Sequence, residues 1–592
     1  MTDSTATSGS AAKANYNRFL LLVAGLGGLL YGVDVGIIAG ALPYLNATSG
    51  LNSNQLSFIV AAVLLGSVIS TLFAGMLADL TGRKTMMFVS GLLFVLSIPV
   101  IALAHGYGPL VAGRLLQGIS AGLIGVVVPL YLAECLGAAN RGKGTGMFQW
   151  LLTLGICAAA VIGYCFSLKV ADIEKLNDPE KLSAFKDVAW RSIFWVSLPP
   201  GILFVLGSLM VAESPRWLFR KGKMDAARAA LRRSRSDEQA EIEMKEMAET
   251  AAAETLKSVA GSQSSESLLS RKYVLPFVLA CVILACNQAT GVNSIIGYNT
   301  TILIQAGLSD AHAHLGYVLF TLVNFLVTMV GVALVDRKGR KFLLSVGSAG
   351  IIVSLICTGL VFQKSEKQRV DVKDAVQSMV DQSNQMVTVS FNSDTAAKLL
   401  GASGVTQPST LVIIYSYGDF TAASKVVRSD DPAGKIEIKR DDCLPPNKVA
   451  AFFQNPSSDL DKSLAAPLEI KNALITPVPP ESNGWLTAVC IFAFMAFFAM
   501  GPGVCVWLAL SELMPTRIRS NGMSVALLIN QAVSTTIAAI FLPSVGKHGY
   551  STMFFTFAGC TVVYFITAAF FLPETKGKTL EEIEEHFEGK KN

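Results

Sequence analysis

Long apolar runs alternate with short polar segments along most of the chain, and this alternation predicts a helical membrane architecture. Twelve runs reach the length of about 20 residues at which an α-helix crosses a bilayer. Their predicted bounds are 18–42, 55–78, 86–104, 110–133, 145–167, 191–212, 274–305, 315–335, 342–362, 485–511, 521–545 and 551–572. The expected fold class is therefore an all-α membrane protein with twelve transmembrane helices.

Polar motifs recur in the same order in the two halves of the chain. The pattern Asp-x-x-Gly-Arg-Lys occurs twice between apolar runs, and so does a glutamate seven residues before an arginine. The corresponding positions are Asp79 and Arg83 with Asp336 and Arg340, Glu134 and Arg141 with Glu512 and Arg519, and Glu213 and Arg216 with Glu574 and Lys576. Such internal similarity indicates a duplicated unit, which is typical of transporters.

Basic residues cluster in loops that all fall on one side of the membrane if the N-terminus is cytoplasmic. The expected location is a plasma membrane or bacterial inner membrane, crossed many times, with both termini cytoplasmic. The predicted domains are a tail 1–17, a six-helix bundle 18–212, a cytoplasmic helical linker 213–273, a second six-helix bundle 274–362 with 485–572, an extracytoplasmic insert 363–484 and a tail 573–592.

The polar segments have local patterns of their own. Residues 168–190 are predicted to form a short outer loop. The linker has two amphipathic stretches that suit helices lying under the membrane, Met224–Arg235 and Glu238–Leu256. The insert is long enough to fold by itself. It has strand-like runs at Met386–Phe391, Thr410–Tyr417 and Lys435–Ile438, and helix-like stretches at Val372–Gln382 and Lys448–Gln454.

Composition agrees with a membrane protein and excludes other classes. Only 15% of the 592 residues are charged, whereas a soluble protein carries about a quarter. The net charge of +5 is spread over short loops, so no nucleic-acid partner is expected. Scattered histidines predict no metal site, and no cofactor is expected. Residues 137–144 resemble a phosphate-binding loop but carry Gly144 in place of Ser or Thr, and no catalytic constellation indicates an enzyme.

The first apolar run carries both a packing stripe and an acid. Small residues recur every four positions, at Gly28, Gly32, Gly36 and Gly40, a spacing that lets helix backbones approach closely in lipid. Asp34 points away from this stripe, and counting about 1.5 Å per residue brings Arg114 of the fourth run within reach of it. Because intramembrane charges are costly and mark ion pathways, the pair is predicted to couple transport to a proton. A static ion pair that fixes helix packing is the alternative.

Amide side chains collect in the second half of the chain and offer the donors and acceptors that sugar hydroxyls require. The candidate substrate-binding residues are Asn287, Gln288, Asn293, Asn324 and Asn530, with Gln149 and Trp507, the latter to cover the apolar face of a sugar ring. The alternative for each amide is a hydrogen bond between helices.

Acidic and basic residues of the repeated motifs lie at the predicted inner membrane face. These are Asp79, Arg83, Glu134, Arg141, Glu213, Arg216, Asp336, Arg340, Glu512, Arg519 and Glu574. Their repetition in both halves favours an ion-pair latch that holds the two halves together in one state and releases them in another. A signal for membrane orientation by positive charge is the alternative.

Taken together, these motifs resemble those of the sugar porter family of the major facilitator superfamily. The resemblance rests on 75–84, Gly113-Arg114, 129–134 with Arg141, 213–218, 287–293, 336–341, 501–503 with Trp507, and 573–583. It implies two six-helix bundles around a central sugar site, working by alternating access. It also implies sugar contacts from Gln149, Gln288, Asn293, Asn324 and Trp507, and a match between Asp34 and the acid of proton-coupled members. Asn287, Gly297, Gln531 and Ser534 depart from the family pattern.

The function expected from the sequence is proton-coupled symport of a monosaccharide, a hexose or a pentose. A proton-independent sugar facilitator, a polyol symporter and a non-transporting sugar receptor are the alternatives. The expected partners are a small-molecule sugar, a proton and the lipid bilayer, and the protein is expected to work as a monomer.

Overall fold

The computed structural model describes the backbone of residues 3–136, 138–259, 274–401, 407–431, 434–445, 447–448, 451, 455, 458–513 and 519–576. Side chains are described over the same residues except 3–12, 138–146, 250–259, 336, 507–512, 519–521 and 524. Within this part of the chain, twelve helical segments are long and apolar enough to span a membrane, which confirms the number predicted from the sequence.

The first half crosses six times. Its helices are α1 (Asp3–Thr48), α2 (Ser53–Thr81), α3 (Arg83–Ala102), α4 (Tyr107–Cys135) and α5 (Ala138–Glu174), and the sixth crossing is divided into α6 (Pro179–Trp195) and α7 (Leu198–Met210). The division falls where two prolines follow Leu198 and remove backbone donors from the helix. Since α5 ends at Glu174 and α6 begins at Pro179, the prediction of an outer loop over 168–190 was wrong. Both helices extend past the apolar runs as polar, water-exposed turns.

The second half repeats the plan with more breaks. The seventh crossing comprises α11 (Val274–Ala289), α12 (Val292–Gly297) and α13 (Asn299–Gln305), and α14 (Asp310–Lys338) and α15 (Arg340–Glu366) follow. After the insert come α19 (Glu481–Met500), α20 (Pro502–Leu513), α21 (Arg519–His548), α22 (Tyr550–Ile566) and a final π-helical turn, Thr567–Phe571. Gly291 has φ of 81° between α11 and α12, a conformation that glycine adopts without strain.

The linker between the halves is helical where it is described. It contains α8 (Pro215–Arg220), α9 (Met224–Arg232) and α10 (Asp237–Val259), so both predicted amphipathic helices are present. Their apolar side chains form a small core of their own, comprising Leu218, Ala227, Leu231, Ala240 and Met244.

The insert is built around antiparallel strands. Its elements are β1 (Val370–Asp371), α16 (Lys373–Gln377), β2 (Val387–Ser390), α17 (Ser393–Leu400), β3 (Ser409–Tyr417), β4 (Phe420–Ala423), β5 (Val427–Arg428), β6 (Lys435–Ile438), α18 (Leu460–Ala465) and β7 (Leu468–Pro477). The main sheet has the order β1-β7-β3-β4 with β5 also paired to β3, and β2 pairs with β6. Twenty-four buried apolar residues from these elements and the turns between them form a separate core in the described part of the insert.

The three predicted strands of the insert are present, whereas one predicted helix is much shorter than expected. Within Val372–Gln382 only Lys373–Gln377 is α-helical. Farther along, the Asp381 carboxylate accepts hydrogen bonds from Ser383 and Asn384 and stabilises a turn. The other predicted helix, Lys448–Gln454, falls mostly outside the described residues. Strand β7 was missed, although its side chains alternate between buried and exposed at its start.

The predicted glycine stripe packs α1 against α5. A Cβ atom added at Gly28 would lie 2.3 Å from the Phe148 carbonyl oxygen, and one at Gly32 would lie 1.9 Å from that of Leu152. Such contacts are possible only because glycine has no side chain. The opposite face of α1 is thereby turned toward α4, as the sequence predicted for Asp34.

Apolar cores reveal how the two halves meet. One core joins residues of both halves, from Val33 and Leu56 in the first to Ile295 and Phe557 in the second, at the end of the bundle that carries the insert. Toward the linker end, each half has a core of its own. The halves are therefore packed together at the insert end, called the insert side below, and have separate cores at the opposite linker side.

Candidate functional site

Asp34 and Arg114 lie side by side in the first half, as their depths predicted. Arg114 Nη1 is 3.7 Å from Asp34 Oδ1, and only 2% and 1% of the two side chains are exposed. The pairing is loose, because Arg114 Nη1 donates a 2.6 Å hydrogen bond to Gln117 Oε1 instead. Neither carboxylate oxygen of Asp34 has a hydrogen-bond partner. The site thus contains a buried acid whose charged form is incompletely satisfied.

Gln117 is the residue of this site that the sequence analysis missed. It lies one turn after Arg114 on α4 and is fully buried, and the i, i+3 spacing of the two residues was the available signal. The Phe194 ring of α6 lies 5.8 Å from the guanidinium carbon. Arg114 is therefore held by two groups besides Asp34, so its position does not depend on the carboxylate alone.

A connected group of amides forms around the break in the seventh crossing. Asn293 Nδ2 donates to Gln288 Oε1 at 2.9 Å and to Ser534 Oγ at 2.7 Å. Gln288 Nε2 lies 3.4 Å from Asn530 Oδ1. Because α11 ends at Ala289 and α12 begins at Val292, Gln288 and Asn293 come from different helical segments and can face one another.

Two of the predicted amides are engaged by backbone carbonyls of neighbouring helices. Asn530 Nδ2 donates to the Leu284 carbonyl at 2.9 Å, and Asn287 Nδ2 lies 3.5 Å from that of Pro502. Both residues are at most 2% exposed. Their geometry favours helix packing, whereas Gln288 and Asn293 are part-buried and bonded mainly to other side chains.

The remaining candidates are spread around the bundle. Asn324 on α14 accepts a bond from Thr328 at 3.5 Å, and Gln149 on α5 is part-buried. The next residues, Trp150 and Phe325, contact each other with ring centroids 5.5 Å apart, so Gln149 and Asn324 lie where the halves adjoin. Among the described side chains no hydrogen bond joins either to the amide group. The Trp507 side chain lies outside the described residues.

The charged residues of the repeated motifs in the first half lie at the linker side and form one network. Arg83 binds both carboxylate oxygens of Glu134 at 2.9 and 3.0 Å and contacts Asp79 at 2.7 Å. Glu213 Oε1 accepts the backbone N–H groups of Arg83 and Lys84 at 2.9 and 3.0 Å, at the start of α3. A negative group at a helix N-terminus is stabilising. Arg220, not singled out from the sequence, also approaches Asp79 and Glu134, each at 3.4 Å.

The second half repeats one part of this arrangement. Glu574 Oε1 accepts the Arg340 backbone N–H at 3.1 Å, at the start of α15, as Glu213 does for α3. Gly82 and Gly339 occupy equivalent turns with φ of 102° and 89°. Arg216 is exposed. The side chains of Arg141, Asp336, Glu512 and Arg519 lie outside the described residues. The contacts given above for Arg83, Glu134, Glu213 and Glu574 each stay within one half.

Hydrogen bonds between the halves occur at the insert side. Tyr44 donates to Asp310 Oδ2 at 2.7 Å, and Tyr317 donates to the Gly36 carbonyl at 2.9 Å. His314 Nε2 lies 3.1 Å from the Gly40 carbonyl oxygen. These contacts, which the sequence analysis did not predict, close the insert side of the bundle.

Comparison with known proteins identifies the family to which the chain belongs. A family model described as sugar (and other) transporter matches residues 20–411 and 467–587. Glucose transporter GlcP of Staphylococcus epidermidis is 26% identical over 96% of this chain and 97% of its own. The proton myo-inositol cotransporter of Homo sapiens is 27% identical over 95% of this chain and 81% of its own.

Solved structures agree with the fold. The xylose transporter XylE from E. coli, in a partially occluded inward-open conformation, superposes with a TM-score of 0.63 at 20% identity. The match covers 95% of this chain and all of the other. It confirms the expected twelve-helix architecture, in which the described insert stands between α15 and α19.

Proposed function

The chain belongs to the sugar transporter family and is a multi-pass membrane protein, and from this premise we propose that it carries a monosaccharide together with a proton. Transport is by alternating access, with the monomer as the working unit. Family membership indicates a transported sugar; the proton as coupling ion and the single sugar unit as substrate are proposed in addition.

The observation that carries the proposal is the environment of Asp34. A neighbouring cation favours the carboxylate, whereas removal from water favours the neutral acid. Asp34 is subject to both influences, since it is buried beside Arg114 and accepts no hydrogen bond. Small changes in helix position or water access therefore change its protonation. Two environments for one carboxylate are sufficient to link a proton gradient to a conformational equilibrium.

The sugar contacts in this proposal centre on Gln288 and Asn293. Their amides supply both donors and acceptors without adding charge. Hydrogen bonds to a ring hydroxyl can replace the 2.9 Å hydrogen bond that joins the two amides. Gln149, Asn324 and Trp507 are proposed as further contacts, and Asn287 and Asn530 as supports behind the site. The shared core at the insert side and the separate cores at the linker side support release of substrate toward the linker side from this conformation.

A polyol is the second candidate substrate. The human relative is named as a proton myo-inositol cotransporter, and a cyclic polyol presents the same ring hydroxyls as a sugar to amide side chains. Uptake of labelled hexoses, pentoses and inositols is measured in a transport-deficient host that expresses the protein. The compounds taken up distinguish a monosaccharide substrate from a polyol.

The substitution Asp34→Asn tests the coupling. The amide resembles the protonated acid and cannot release a proton, so we expect loss of sugar accumulation against a gradient and of sugar-dependent proton uptake. Exchange of labelled sugar between equal pools should persist, because it requires no net proton movement. Asp172→Asn is the matched control, since Asp172 is exposed and pairs only with Lys175 among the described side chains.

Protonophore-sensitive accumulation by the Asp34→Asn variant at the level of the Asp172→Asn control would overturn the assignment. Asp34 would then be a packing residue, and coupling would have to be sought elsewhere. If wild-type protein equilibrated sugar without accumulating it, the protein would be a facilitator.

A further inference from the structure

The insert is firmly connected to the second half of the transporter. It enters from α15 and leaves into α19, both of that half. Arg428 Nη1 donates to the Ile304 carbonyl of α13 at 3.3 Å. The backbones of the insert and the second half are also in close contact, since a Cβ atom at Gly307 would lie 2.2 Å from the Pro479 carbonyl oxygen. The sheet therefore moves with the second half.

Two polar contacts join the described part of the insert to the first half at the beginning of α2. Asn52 Nδ2 donates to the Asp442 carbonyl at 2.8 Å, and Ser53 Oγ donates to that of Ser424 at 2.9 Å. Both donors lie at the beginning of α2. The second bond is buried, with Ser53 and Ser424 only 7% and 5% exposed. Two hydrogen bonds to backbone carbonyls form a specific contact that can separate without unfolding either partner.

A cavity of about 660 Å³ adjoins this contact. Its walls come from all three parts of the molecule: Gln55 and Tyr107 from the first half, Thr421 and Asp441 from the insert, and Lys547 from the second half. An interface with a hollow of this size lacks the close packing of a permanent core. The insert is thus seated across the closed end of the bundle, connected through the chain to the second half and through these hydrogen bonds to the first.

We propose that the insert is a lid that holds the insert side of the transporter closed. Carried by the second half, it binds the beginning of α2 only while the halves are together. It must release Asn52 and Ser53 when the insert side opens. This inference rests on the proposed alternating-access function, because it assigns the insert a role in the opening step.

The geometry requires such a release. Opening separates α1 from α14, which are joined by the bonds of Tyr44 to Asp310 and of Tyr317 to Gly36. It also separates α2 from α21, where the Leu542 N–H donates to Ser57 Oγ at 3.3 Å. A body anchored on the second half cannot keep its bonds to α2 during that separation. The lid bonds therefore favour the closed state, and removing one shifts the equilibrium toward the open state.

Asn52 allows a test that spares the helix. Its Oδ1 accepts the Gln55 backbone N–H and caps α2, while its Nδ2 donates to the insert. Asn52→Asp keeps an equally good cap but replaces the donor with an acceptor facing the Asp442 carbonyl. Asn392→Asp is the matched control, because Asn392 is an exposed helix cap inside the insert that bonds Thr395 of its own helix.

Spin labels on opposite halves report the opening directly. Leu176→Cys and Lys364→Cys place labels at exposed positions on the insert side of the first and second halves, in a background without the native cysteines. Distances are measured by double electron–electron resonance in the full-length protein. We expect Asn52→Asp to raise the ratio of open to closed states by roughly fivefold, which is the effect of one net hydrogen bond. An unchanged distance distribution, equal to that of Asn392→Asp, would overturn the proposal.

A second experiment holds the lid shut. Ser53→Cys and Ser424→Cys, joined by a short bis-methanethiosulfonate reagent in the same cysteine-free background, should abolish sugar uptake, and reduction should restore it. Each single substitution treated in the same way is the control. Uptake at the control rate after complete cross-linking would overturn the proposal that the insert is a lid. The spin-label distances do not depend on uptake, so they report opening even if the substrate or the coupling ion differs from the one proposed.

Discussion

At the residue scale, the amide side chains divide according to what they bind. Gln288 and Asn293 bond other side chains and are part-buried, whereas Asn287 and Asn530 are buried against carbonyls of neighbouring helices. A side chain–side chain bond can be exchanged for a bond to a ligand at little cost. Loss of a buried hydrogen bond between helices instead lowers the stability of the fold. The two kinds of amide should therefore respond differently to substitution.

Gln288→Ala and Asn530→Ala test this division. Removal of Gln288 should weaken sugar binding about tenfold or more, the effect of losing one or two hydrogen bonds to a ligand, with little change in stability. Removal of Asn530 should lower stability by about 0.5–1.5 kcal/mol, because its buried hydrogen bond to the Leu284 carbonyl is lost. Isothermal titration and thermal unfolding in detergent measure both quantities. Equal losses of affinity and equal melting temperatures for the two variants would contradict the division.

At the element scale, helix α1 packs against α5 with one face and against α4 with the other. Its glycines allow the backbone of α5 to approach, and its opposite face brings Asp34 to Arg114 on α4. The position of the acid is therefore set by a contact on the other side of the helix. A change in the stripe should disturb both packing and coupling.

Gly32→Ala should destabilise the first half by about 1–3 kcal/mol, because the new methyl group would lie 1.9 Å from the Leu152 carbonyl oxygen and the helices would have to separate. Gly75→Ala is the control, since nothing lies within 4 Å of a Cβ atom there. Thermal unfolding, monitored by fluorescence-detected size-exclusion chromatography, measures the difference in stability between the two variants. A Gly32→Ala variant as stable as Gly75→Ala would show that α1 and α5 do not pack in this way.

At the scale of the whole molecule, the chain joins two similar halves with an insert seated on their closed end. The charged residues at the linker side have contacts within each half in the described residues, while the hydrogen bonds between halves described above lie at the insert side. Closure at the insert side is therefore maintained by packing, by a few interhelical bonds and, as proposed, by the lid.

Replacement of residues 372–473 by a short Gly/Ser linker should leave the twelve spans intact. Asp371 pairs with Leu474 at the junction of β1 and β7, so the cut ends lie about 5 Å apart and a few residues can join them. The retained Glu366 still caps α22 through the Tyr550 N–H at 2.7 Å. We expect membrane insertion and sugar uptake to persist, with a larger open population. Loss of uptake in a correctly inserted variant would mean that the insert also captures substrate.

The sequence by itself determined the number of spans, the duplication, the glycine stripe and the nearness of Asp34 to Arg114. The duplication was evident from polar motifs that recur in the same order. The other three depend on local periodicity and on lipid, which forces apolar runs into helices and sets depth by residue count. Strands of the insert were partly predicted for the same reason, since alternation is local. Strand β7 was missed, and the outer loop was wrongly extended over polar turns of α5 and α6.

Only the tertiary structure decided which polar groups meet. Asn287 and Gln288 are neighbours in sequence, yet one binds the Pro502 carbonyl and the other binds Asn293 across a helix break. Arg114, which sequence reasoning paired with Asp34 alone, donates its hydrogen bond to Gln117, and the insert reaches α2 through residues nearly 400 positions away. These pairings depend on how the helices and the sheet are arranged around one another, and long-range contacts of that kind leave no periodic trace in a single sequence.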